Sequence, residues 1–155
     1  MPKTMFLAAL GRPGPGFDGK VGIWRVTKER PAMYAKHKGK HAGRKKGDPI
    51  VEDCAMDANK YVEMMTTQVF PAIRKLYAGE KLVTVQHDGA PGHGAKKTGE
   101  LLAEAGHKCK SGEPIIEVVK QSAQSPDFNI CDLAFFRALS VAVRKRRRTT
   151  MRGAK

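Results

Sequence analysis

The sequence is short of thiols, of acids and of long apolar runs, and each shortage removes a class of protein. Its three cysteines, Cys54, Cys109 and Cys131, are odd in number and far apart, with no C-x-x-C pair. That excludes a disulfide framework and a cysteine-built zinc site, and leaves buried or free thiols in a reducing compartment. No apolar run approaches the roughly 20 residues that cross a bilayer, so no membrane partner is expected. The opening MPKTMFLAALGRPG holds one Lys and a short apolar patch bounded by Gly and Pro. That suits a strand better than a secretory leader, and the expectation is a soluble intracellular protein. Neither a P-loop nor a G-x-S-x-G pattern is present. The Gly-rich GRPGPGFDG is interrupted by prolines and precedes a strand, so it reads as a turn and not as a phosphate cradle.

Positive charge is what the chain has in excess. Against 15 Asp and Glu stand 29 Lys and Arg, for a net charge of +14 over 155 residues. Such a field draws polyanions, and nucleic acid is the commonest polyanion in a cell. Two blocks concentrate the charge. One is KHKGKHAGRKK over 36–46, with Lys36, Lys38, Lys40, Arg44, Lys45 and Lys46; the other is RKRRR, Arg144, Lys145, Arg146, Arg147 and Arg148. Either block could be a solvated segment, and a basic run also serves as a nuclear-import signal. Together they make DNA-binding residues of both blocks and point to the nucleus.

The coarse pattern is that of one domain. TMFLAAL (4–10) and VGIWRV (21–26) read as strands, and Asp18-Gly19 between them predicts an antiparallel pair. Residues 30–50 show no periodicity and read as a mobile loop ordered only by an anion. From Asp57 to Tyr77, Tyr61, Met65, Val69, Ile73 and Tyr77 recur every four residues, one face of a helix. Asp57 suits its N-cap, Gly79 its stop, and Pro71 should kink or divide it. Next come a strand at 81–86, a helix at 94–106 ended by Gly106, a strand at 114–119 and a polar turn at 121–127. The final FNICDLAFFRALSVAVRKRRR is apolar nearly all round before its basic end, which predicts a buried helix. The order β-β-α-β-α-β-α indicates an α/β fold with a parallel portion in its second half.

Two acids sit oddly in this pattern. Asp88 ends a strand, and Asp132 lies inside the apolar helix between Cys131 and Leu133. Burying a lone carboxylate is expensive unless something compensates. A strand end and a helix offering one carboxylate each could hold Mg²⁺, which favours few carboxylates, several waters and phosphate oxygens. The plainer alternative has Asp88 capping the next helix and Asp132 pairing with Arg137 or facing solvent. Asp127 and Asn129, around Pro126 and ahead of the helix, suit a turn or an N-cap. His87 and His93 flank Asp88 and either line the site or serve as hydrogen-bonded structural histidines. His37 and His41 are four apart, but their basic loop has no helical signal and does not make a zinc site.

VQHDGAPGH resembles the second-acid motif of mariner-like transposases, close to Q-D-N-A-x-x-H, and AQSPDFNICDLAFFRAL resembles their third-acid motif. MFLAALGRPG with FDGKVGIW is similar to the strand pair ahead of these motifs, notably in the plant and oomycete branch. The resemblance spans nearly the whole chain, with SPDFN followed by Asp132 its specific part. It implies a ribonuclease H-like mixed sheet with flanking helices. It also implies a cut-and-paste DNA transposase whose three acids bind two Mg²⁺ or Mn²⁺ ions that activate a water or a 3′-hydroxyl and stabilise the leaving oxygen. Carried over, Asp88 is the second metal ligand and Asp132 the third. Gly89 stands where the family has Asn, and 106–114 reads as an insertion.

The family's first acid lies on a central strand upstream of the one matching MFLAAL. This chain therefore reads as the later part of a catalytic domain (1–143) with a basic tail (144–155), lacking the first strand and the helix-turn-helix region. The implied partners are DNA, as transposon ends and target, and the missing N-terminal region; a homodimer is allowed for. The rival readings are a non-catalytic DNA-binding protein descended from a transposase, and a basic RNA-associated protein. The last would prefer RNA and leaves SPDFNICD without a purpose.

Overall fold

A computed structural model describes residues 4–39, 42–90, 93, 96–122, 125 and 129–152. Four strands come first: β1 (Phe6–Leu10), β2 (Lys20–Arg25), β3 (Thr27–Pro31) and β4 (Pro49–Asp53). A long helix follows, as α1 (Ala58–Met64), a π-helical stretch (Met65–Val69) and α2 (Phe70–Leu76). The chain continues through β5 (Leu82–His87), α3 (Lys96–His107) and β6 (Ile115–Lys120). It ends in a second π-helical stretch (Cys131–Phe135) leading into α4 (Phe136–Arg152).

The architecture is mixed α/β. Among the described residues the strands form three separate two-stranded sheets: β1–β2 and β3–β4 antiparallel, β5–β6 parallel. The expected antiparallel first pair and the parallel second half are both present. The single ribonuclease H-like sheet is not present among the described residues, where β1 and β5 each pair with one neighbour. The turn ahead of β2 forms as its residues dictate: Asp18 Oδ1 accepts from the Lys20 amide at 2.9 Å, and Gly19 takes a φ of 87°.

The long helix supplies the core. Tyr61, Met65, Val69 and Ile73 are buried along one face, joined by Phe70 from the same helix, Leu102 of α3 and Ile116 of β6. Tyr77, last in the predicted stripe, is half-buried and meets Phe17 edge-on at 5.9 Å. Asp57 caps α1, its Oδ1 accepting from the Lys60 amide at 2.8 Å. The fault created by Pro71 appears just ahead of it. Proline has no N–H to donate one turn back, and the widened π turn absorbs the mismatch. Thr66 and Thr67 hydroxyls bond to the Val62 and Glu63 carbonyls at 2.8 and 2.7 Å within that turn.

Three expectations change. The ends of the 30–50 stretch are strands, β3 and β4, which pair as a hairpin, and the basic block lies on the connection between them, where Lys36 and Arg44 form one bridge. Gly106 does not end α3, which runs to His107. It is buried against β6, so close to the strand that a Cβ there would strike the Ile116 backbone carbonyl. The Arg74 guanidinium then donates to the Ala105 and Gly106 carbonyls at 3.0 and 3.2 Å, satisfying the exposed end of the helix.

The final helix is not buried. Ile130 is 62% exposed, and Leu133, Leu139, Val141 and Val143 are exposed with it. Its apolar composition was read correctly, but no layer among the described residues covers it. The basic residues from Arg144 lie on this helix, which runs to Arg152.

Candidate functional site

β5 alternates inward Val83, Val85 and His87 with outward Leu82, Thr84 and Gln86. Asp88 follows at the carboxyl end of this parallel strand, where ligands of α/β sheets gather. Its Oδ1 accepts from the Ala90 amide at 3.1 Å and meets His93 Nδ1 at 2.5 Å. Asp88 thus holds the turn after its own strand and orients a histidine.

That histidine is stacked. Its ring lies 3.8 Å from the Tyr61 ring, and the His87 ring lies 5.8 Å from Tyr61 and nearly parallel to it, at 6°. His87 and His93 are 5.6 Å apart. Burial, and after it the Asp88 carboxylate, keep the Tyr61 phenol protonated far above its ordinary range. Burial also pushes the His87 imidazole down, and His93 and Lys120 add to this while Asp88 opposes it. His87 Nδ1 is buried with no hydrogen-bond partner among the described residues. Lys120 stands opposite His87 in the β5–β6 register.

Asp132 is the second residue of the second π-helical stretch and is exposed. Asn129 Nδ2 donates to Asp132 Oδ2 at 2.7 Å, and the Asp132 amide donates to Asn129 Oδ1 at 3.3 Å. Asn129 and Asp132 therefore hold one another at the start of the final helix. Asp127 lies outside the described residues.

Cys131, next to Asp132 in the chain, touches β1. Its Sγ reaches the Ala8 carbonyl of β1 at 4.0 Å. The Val26 amide donates to Met5 O at 2.9 Å, and since backbone groups alternate along a strand, Ala8 points its carbonyl to the edge that β2 leaves unpaired. Burial raises the Cys131 thiol pKa, and the Asp132 and Asp88 carboxylates raise it further. The start of the second π-helical stretch thus lies beside the open edge of β1.

Two carboxylates suit a hard divalent cation that keeps open positions for water and phosphate oxygens. No group of three or more His, Cys, Asp or Glu side chains among the described residues is placed to hold a metal ion.

Of the basic positions, Lys36, Lys38, Lys45 and Lys46 are exposed on the hairpin arm and Arg44 is half-buried there. Lys40 lies outside the described residues. Arg144, Lys145 and Arg146 are exposed on α4, and Arg147 and Arg148 continue its backbone. Among the described residues no helix is long and apolar enough to cross a membrane.

No family model, curated protein or solved structure matches the chain.

Two members of the site were not legible as such. Tyr61 belongs to the helical stripe and reads as core, which it is; its second role depends on a histidine more than thirty positions away. Cys131 carries no motif, and only the approach of the second π-helical stretch to β1 brings it to the edge of that strand.

Proposed function

We propose that this chain is part of the catalytic domain of a mariner-like DNA transposase, binding DNA through its basic surface and holding Asp88 and Asp132 as metal ligands. What supports the reading most is the position of Asp88 at the carboxyl end of β5, together with the contact of Cys131, next to Asp132, with the unpaired edge of β1. That edge is where the central strand of a ribonuclease H-like sheet would pair, which makes such a sheet the finer fold proposed. Bound Mg²⁺ or Mn²⁺ would polarise a phosphodiester and stabilise its leaving oxygen. The chain's own part is to present the carboxylates. The turn at Ala90 and the His93–Tyr61 stack fix Asp88, and Asn129 fixes Asp132.

Mn²⁺ binding followed by electron paramagnetic resonance tests this in the whole chain. Asp88→Asn and Asp132→Asn should each weaken binding while leaving DNA affinity in place. Unchanged Mn²⁺ binding in both variants removes the metal role. The lack of a three-ligand group among the described residues favours the second reading, a non-catalytic DNA-binding protein descended from a transposase. That reading expects DNA binding alone to survive both substitutions.

A further inference from the structure

The hairpin arm, 32–48, carries an inference that rests on the nucleic-acid reading above. Beyond Pro31 and Pro49 the two sides of the arm meet again at an isolated antiparallel bridge between Lys36 and Arg44. Glycines interrupt the arm on one side. Ala32 bonds both to the Asp48 carbonyl and to the Gly47 amide, and Lys36 both to the Arg44 carbonyl and to the Gly43 amide, each at 2.8 Å. In each case two residues oppose one, and the first is a glycine with φ of 93° or 90°. That is the geometry of a glycine-led bulge, which bends a ribbon and increases its right-handed twist.

The charges on this ribbon are unevenly answered. At its base, Glu52 meets Arg30 at 2.7 Å and Lys28 at 3.4 Å, and Asp48 accepts from the Lys45 amide at 2.7 Å. Between Ala32 and Asp48 the sequence supplies cations and no acid. Lys36 and Arg44 stand directly opposite one another, a like-charged pairing that destabilises a ladder. Arg44 Nε is buried with no hydrogen-bond partner among the described residues. Both features call for an anion. Beside them Met33 is 63% and Tyr34 73% exposed, an apolar and an aromatic group offered to whatever the cations bind.

We propose that the arm is a DNA-reading ribbon that enters the major groove of duplex DNA. Lys36 and Arg44 supply phosphate contacts, and Met33 and Tyr34 supply apolar contact with the bases. The B-form major groove admits a two-stranded β-ribbon and presents thymine methyls, whereas the minor groove is about half as wide. The major groove of A-form RNA is too deep and narrow for side chains to read. Duplex DNA is therefore the occupant.

The test uses the whole chain, a mixed-sequence DNA duplex and an RNA duplex of equal length. Affinity is read by fluorescence anisotropy across a salt series. The groove is read by displacement of methyl green from the major groove or of distamycin from the minor groove. The ribbon should displace methyl green and leave distamycin in place, and it should bind the RNA duplex at least about tenfold more weakly. Lys36→Gln with Arg44→Gln, checked for folding by circular dichroism, should lower the slope of log affinity against log salt by about 2, one for each lost phosphate contact. DNA binding without methyl green displacement, equal affinity for the RNA duplex, or an unchanged salt slope in the double variant overturns the proposal and leaves the nucleic-acid reading standing. No DNA binding at low salt overturns both.

Discussion

Gly99 and Gly106 lie on the same helix and should answer the same substitution in opposite directions. Gly99 is exposed with open space around it, so Ala there removes backbone freedom from the unfolded chain and meets nothing in the fold. Gly99→Ala should stabilise by about 0.5–1 kcal/mol. At Gly106 the added methyl meets the Ile116 carbonyl, a backbone atom that cannot swing aside. Gly106→Ala should destabilise by about 1–3 kcal/mol as α3 is pushed off β6. Urea midpoints of the two variants check both, and equal shifts would remove the packing account. In the sequence, Gly106 looks like a helix stop because close approach and chain reversal favour the same residue. Only the strand packed against it tells the two apart.

At the scale of elements, Asp53 fastens the basic hairpin to the first sheet. Its carboxylate receives Arg25 Nε and Nη2 of β2 at 2.7 and 2.9 Å, and the Thr4 hydroxyl at 2.9 Å. The hydrogen bonds from Arg25 hold this carboxyl below its usual range, with Thr4 and the Arg25 charge assisting against some burial. A depressed carboxyl pKa contributes stability above the unfolded value, about 3.9, and that contribution is lost as pH falls through the folded value. Asp53→Asn should therefore unfold more easily than the natural chain at neutral pH, and the gap should close below about pH 4. Thermal melts at pH 7, 4 and 3 check this; a gap independent of pH would assign the effect to packing. The strands this residue joins differ in how well they could be read. VGIWRV announces itself because an apolar core covers one face. TKERP and PIVED do not, because β3 is mostly exposed and is held by Lys28, Arg30 and Glu52 across the ladder. Hydrophobic periodicity cannot detect a ribbon made of charge pairs.

At the scale of the molecule, stability is concentrated in one helix and what packs on it, since a two-stranded ribbon alone is marginal in water. That explains both the success and the failure of the sequence at long range. The stripe from Tyr61 to Ile73 located the core, and the strand-end Asp88 could be found because an acid after an apolar run is conspicuous. The order of strands within a sheet leaves no periodic trace, so three small sheets could not be told from one. The exposed α4 has the same origin: composition reports how apolar a helix is, and only its neighbours decide what covers it. The hairpin has one more consequence, for how the molecule comes apart. Lys36, Lys38, Lys45 and Lys46 are exposed beyond the paired β3 and β4, and projecting tips of this kind are preferred sites of proteolytic nicking. Trypsin in brief exposure should cut there first, yet the β3–β4 ladder and the Arg25–Asp53 clasp span the break. The two pieces should migrate separately in denaturing gels and elute together from a native column, so that the polypeptide is severed while the protein remains whole.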